Sequence, residues 1–182
     1  MSKHMHSYPR YAKIIHLGMA VLGVMAYLSS ELAEDGASSW GYLIHAYLGL
    51  SLAFFMLLRI SIGLTPFQPL SFKGWSPFTR GQLLFVMQDF RSLLSLKIPE
   101  RKRHEGLSGM TQAFGLILFT WMSVTGAGLF FINDDGDFFE FIEEIHELGE
   151  SLIPLYLLLH IGAVIMHSFS GQPVWKKMFT LR

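Results

Sequence analysis

The chain has 182 residues, of which 51% are hydrophobic, 14% aromatic and only 15% charged, with a formal net charge of zero. This composition excludes an ordinary soluble domain and describes a small integral membrane protein with no nucleic-acid partner. No cysteine is present, which excludes disulfides, iron–sulfur clusters and haem attached covalently through a C-x-x-C-H motif.

Four apolar segments follow in order: Ile14–Ser30, Trp40–Leu64, Met110–Ile132 and Glu147–Phe169. Each is near or above the roughly 17–25 residues that cross about 30 Å of hydrocarbon. The first, preceded by basic residues, looks superficially like a secretory signal. Ser29–Glu34 offers no small-x-small cleavage site, however, and an uncleaved helix is expected. The connections alternate in charge. Lys3, Arg10 and Lys13 precede segment one, and Glu31, Glu34 and Asp35 follow it. Lys73, Arg80, Arg91, Lys97, Arg101, Lys102 and Arg103 fill the long middle connection, and Arg59 is expected to snorkel to the headgroups on the same side. The third loop carries Asp134, Asp135, Asp137, Glu140, Glu143 and Glu144, and the tail carries Lys176, Lys177 and Arg182. All 14 basic residues thus fall on one side. The positive-inside rule then predicts a multi-pass protein of the bacterial inner membrane with both termini cytoplasmic. Trp40 and Tyr42 suit the outer interface.

Residues 65–109 form the one long connection. Pro66, Pro69, Gly74 and Pro77 break its first part, whereas Leu83, Val86, Met87, Phe90, Leu93 and Leu94 recur at helical spacing between Thr79 and Leu96. This predicts an amphipathic helix in the membrane interface, with a loop helix packed on the bundle as the alternative. In segment four, Pro154 predicts a kink. The expected architecture is an all-α, integral membrane four-helix bundle with the amphipathic helix between helices two and three. It forms a single domain over residues 1–182.

Four histidines carry the chemistry. His146 and His160 lie fourteen residues apart, so on one helix they point within about 40° of each other and differ in depth by roughly 21 Å. His16 opens segment one and His45 lies near the start of segment two. Neutral imidazole is the commonest protein ligand for haem iron, and a histidine inside a membrane segment is costly unless it is used. Depth pairs His16 with His160 near the cytoplasmic face and His45 with His146 near the opposite face. Two bis-histidine b haems are therefore expected, with no open coordination site and an electron-carrying role. Small residues recur beside these positions: Gly18, Gly49, Gly149, Gly162 and the run Thr125-Gly126-Ala127-Gly128. They suit close helix packing and also clearance for a flat porphyrin.

On these residues the chain resembles the bacterial cytochrome b561 and nickel–iron-hydrogenase b-type cytochrome superfamily. The likeness spans nearly the whole chain and rests on His16, the pair Ile44-His45, and His146 and His160 followed by His167. It implies a four-helix core with two b haems, ligated from helices one, two and four, that exchanges electrons with quinone. Many relatives carry Trp where this chain has Leu17. Hydrogenase-type members show His-Asn-Pro-Leu-Gly where this chain reads His104-Glu105-Gly106-Leu107-Ser108-Gly109. Both departures argue against a dedicated hydrogenase subunit. His167 lies about two turns beyond His160, where an imidazole suits hydrogen bonding and proton relay to a quinone. His4 and His6 read as tail residues.

The outer face carries carboxylates and no Lys or Arg, with Glu143, Glu144, Glu147 and Glu150 bracketing His146. Such a field suits a cationic periplasmic redox protein such as a c-type cytochrome. It disfavours superoxide, which some relatives oxidise. A structural membrane anchor for a larger redox enzyme is a third reading, which would not need two complete haem sites.

Overall fold

The computed structural model of the chain describes residues 8–35, 39–67, 69–77, 81–95, 99, 105–132, 136–171 and 174–179. His4, His6, His104, Asp134, Asp135 and the basic run Arg101–Arg103 lie outside the described residues. Among the described residues there is no strand. The described residues form seven α-helices in order: α1 (Arg10–Leu28), α2 (Trp40–Leu64), α3 (Gln82–Leu94), α4 (Leu107–Phe131), α5 (Asp137–Ser151), α6 (Ile153–Phe169) and α7 (Lys176–Phe179). Helices α1, α2, α4 and the composite Asp137–Phe169 are long and apolar enough to cross a membrane. The fold is an all-α membrane bundle.

Local chemistry explains the helix ends. Ser39 caps α2 by accepting a hydrogen bond from the Tyr42 N–H (3.0 Å), satisfying one orphan donor of the first turn. Asp137 and Glu140 fill the first turn of α5, where carboxylates complement the helix dipole. The break between α5 and α6 falls at Leu152, whose N–H bonds back to the Gly149 carbonyl (3.1 Å). Pro154 then sits in the first turn of α6, where its missing N–H costs nothing.

Two expectations are corrected. The acidic third loop is largely helical: α5 begins at Asp137 and runs straight into what was drawn as the start of segment four. Its apolar residues Phe138, Phe141, Ile145 and Leu148 recur at helical spacing between the carboxylates, and the charge density masked that periodicity. Arg59 does not snorkel outward. It is 3% exposed because it shares the inward face of α2 with Leu52 and Met56, at i, i+4 and i+7.

Helix α3 has its faces divided in an informative way. Leu83, Met87, Phe90 and Leu94 are all more than half exposed, whereas Asp89 is 3% exposed. The Asp89 Oδ2 accepts the Leu107 N–H at 3.0 Å, and the Gln82 Oε1 accepts the Gly106 N–H at 3.3 Å. The polar side of α3 thus caps the N-terminus of α4, and its apolar side faces away from the protein. A loop helix packing on a soluble surface would do the reverse. The arrangement fits a helix lying in the membrane interface.

Contacts group the chain into two compact units. One comprises Ile15–Ile60 and Gly115–Leu155; the other comprises Met1–Ile14, Ser61–Phe114 and Tyr156–Arg182. His16, His45 and His146 belong to the first, and His160 and His167 to the second.

Candidate haem site

In the first unit, α2 and α5 bring His45 and His146 together. Their ring centroids are 6.3 Å apart and their planes meet at 86°. Each ring is held through the same nitrogen. The Ala26 carbonyl lies 3.0 Å from His45 Nδ1, and because a carbonyl can only accept, this nitrogen carries the proton. The Ser29 hydroxyl lies 3.4 Å from the same nitrogen and itself donates to the Ala26 carbonyl at 2.9 Å. His146 Nδ1 lies 2.7 Å from Thr125 Oγ1. The Thr125 hydroxyl donates to the Trp121 carbonyl at 3.0 Å, so its oxygen accepts from the imidazole N–H. His45 is therefore the Nδ1–H tautomer, and His146 takes the same form with the Thr125 proton on the Trp121 carbonyl; each Nε2 lone pair is then left for another partner.

Backbone without side chains makes room at this pair. A Cβ added to Gly126 would stand 3.1 Å from His146 Cε1, so a side chain there would push α4 and the ring apart by a few tenths of an ångström. One turn beyond His45, Gly49 has open space around the position a Cβ would take, with no atom within 4 Å. Gly18 and Gly149 do otherwise: a Cβ at Gly18 would run into the Phe55 ring, and one at Gly149 into Met122 Sδ. Those two are packing glycines.

The family model of prokaryotic cytochrome b561 matches residues 7–181. The chain belongs to that family. It is thus a b-type cytochrome of membranes that takes part in electron transfer. Comparison with curated proteins and with solved structures returned no match.

The family implies a b-type haem, and the His45–His146 pair fits one. A metal–imidazole bond of about 2 Å on each side, plus about 1 Å from each nitrogen to its ring centre, puts two axial imidazoles roughly 6 Å apart. The observed spacing agrees with this. Both second nitrogens are already engaged, as metal-bound histidines require. When bound, haem supplies a reversible one-electron couple; these residues supply its ligation and the hydrogen bonds behind it.

The other histidines are placed as follows. His16 is half-buried on α1. Leu17, the departure from the family's Trp, is 50% exposed, so the substitution falls on an outward-facing position. In the second unit, His160 lies flat against Tyr156, with centroids 5.5 Å apart and planes within 13°. Tyr156 in turn meets Phe114 edge-on at 5.9 Å. His167, in the last turn of α6, has a buried Nδ1 with no hydrogen-bond partner among the described residues.

Sequence reasoning missed Thr125, Ser29 and Tyr156. Thr125 stood in a small-residue run that reads as packing, and a hydroxyl's partner 21 residues away leaves no periodic signal. Tyr156 did carry one: it lies one turn before His160 on the same helix face.

Proposed function

We propose that this cytochrome holds two b haems in bis-histidine ligation and passes electrons between quinone and a cationic periplasmic protein. The observation that carries the reading is the His45–His146 pair, spaced for one iron and with both Nδ1 atoms engaged. His45 and His146 hold the outer haem. His16 and His160 hold the inner one, since their places in the sequence put both near the basic, cytoplasmic side. The protein lies in the bacterial inner membrane with both termini cytoplasmic. A bis-histidine iron has no free site, so chemistry on substrate takes place at the haem edge. Quinone is reduced or oxidised beside the inner haem, with His167 as its hydrogen-bonding and proton-relay residue; the unsatisfied Nδ1 supports that role.

The acidity of α5 supports a cationic partner. Asp137, Glu140, Glu144 and Glu147 recur at i, i+3, i+7 and i+10 and are exposed, as is Glu143. They form an acidic stripe on the helix that carries His146. Such a field speeds encounter with a cation and slows it with an anion, screened over about 8 Å at physiological ionic strength.

Stopped-flow reduction of the outer haem across a salt series tests this. Electron exchange with a basic c-type cytochrome should slow steeply as salt rises, and Glu143→Gln with Glu144→Gln should flatten that dependence. Fast oxidation of superoxide at low salt, with no response to the basic cytochrome, would replace this function with superoxide oxidation. A purified protein without haem would replace it with a structural anchor.

A further inference from the structure

The two rings of the outer pair are not held alike. The Nδ1–H of His45 goes to a backbone carbonyl, which no substitution removes. That of His146 goes to a side-chain hydroxyl, Thr125 Oγ1, at the shorter distance of 2.7 Å. The hydroxyl is itself oriented: donation to the Trp121 carbonyl points its lone pairs at the imidazole. Gly126, the next residue, lets the α4 backbone lie close to the ring, since a Cβ there would stand 3.1 Å from His146 Cε1. The Thr125 hydroxyl is the polar contact on His146 Nδ1, and the ring plane lies 86° from that of His45.

Two consequences follow from ligand chemistry. An axial imidazole raises the iron d orbital that overlaps its ring π system. Parallel rings raise the same orbital and split the pair, whereas perpendicular rings raise both and leave them nearly degenerate. Low-spin ferric iron then shows a strongly anisotropic resonance with one dominant low-field feature. In addition, a hydrogen-bonded Nδ1–H gives the ring more imidazolate character, which stabilises the ferric state and lowers the reduction potential.

We propose that Thr125 is a positioning residue that holds His146 perpendicular to His45 and tunes the outer haem's potential through the Nδ1 hydrogen bond. This rests on the assignment of His45 and His146 as the outer-haem ligands.

The test uses the full-length protein carrying His160→Ala, which isolates the outer haem, read by electron paramagnetic resonance and redox titration. That protein should show a single strongly anisotropic ferric signal. Adding Thr125→Val, nearly isosteric but unable to accept, should make the signal more rhombic and shift the midpoint potential upward. Adding Thr125→Ser instead should restore both, and should keep the haem even if the valine variant loses it. A rhombic signal before any change at position 125 would overturn the proposal. So would a valine variant with unchanged signal and potential, or a serine variant shifted as far as valine. Retention of both haems in His160→Ala would instead overturn the ligand assignment beneath it.

Discussion

The two histidine neighbourhoods differ in the contacts that meet the imidazole rings. In one unit, His146 is fixed by a directional hydrogen bond to Thr125 and His45 by one to the Ala26 carbonyl. In the other, His160 lies against the face of Tyr156, a contact made of dispersion and quadrupole terms. A hydrogen bond to Nδ1 fixes the tautomer, the ring plane and the basicity of the opposite nitrogen together. An aromatic face against the imidazole constrains the ring plane. The pair on α2 and α5 is thus engaged through Nδ1, and the ring on α6 is flanked by an aromatic face.

The largest change expected from breaking this contrast is at Gly126. Gly126→Val places two methyl groups where even a Cβ would stand 3.1 Å from the His146 ring. Haem quantitation should find the outer haem lost and the inner one retained. Equal loss of both would mean that the substitution unfolds the bundle rather than displacing one ligand.

A smaller effect is expected from Asp89→Ala, which touches neither histidine pair. It leaves the part-buried Leu107 N–H without this acceptor, at a cost near the low end of about 1–3 kcal/mol. Thermal unfolding in nanodiscs should shift downward while the absorption spectra of both haems stay unchanged. Asp89→Asn, which keeps an acceptor, should recover part of the loss.

Stacking sharpens the comparison from the other side. Tyr156→Leu removes a contact worth about 0.5–1.5 kcal/mol, so the inner haem should dissociate more readily on dilution while the outer one is unaffected. Tyr156→Phe, which keeps the ring face against His160, should hold the inner haem better than Tyr156→Leu. The smallest spectral effect is expected at His167→Ala. Both haem spectra should stay intact, while quinol-driven haem reduction slows about 100-fold or more, as loss of a proton-transfer group implies.

How far the sequence could foretell this depended on the range of each interaction. The bounds of α2, Trp40–Leu64, were legible at both ends, because an unbroken apolar run, a serine cap and the following Thr65-Pro66 all mark them locally. The meeting of His45 and His146 was also legible, because membrane depth reduces pairing to a matter of counting residues from the helix ends. Thr125 was not, since its acceptor role exists only once α4 and α5 are side by side. The burial of Asp89 was not legible either, because helical periodicity says which residues share a side but not which side turns inward. Arg59 was misplaced for the same reason: its nearness to the end of α2 suggested an outward reach, whereas the face it shares with Leu52 and Met56 decided its burial.

If the four histidines hold two haems in two separate pairs, each substitution removes one particular haem. Haem stoichiometry by pyridine haemochrome assay, combined with redox titration of His45→Ala, His146→Ala, His16→Ala and His160→Ala, shows which. Wild type should hold two haems per chain. The first two variants should lose the same one, and the last two should lose the other. One haem in wild type, or equal loss of both haems in all four folded variants, would contradict the account.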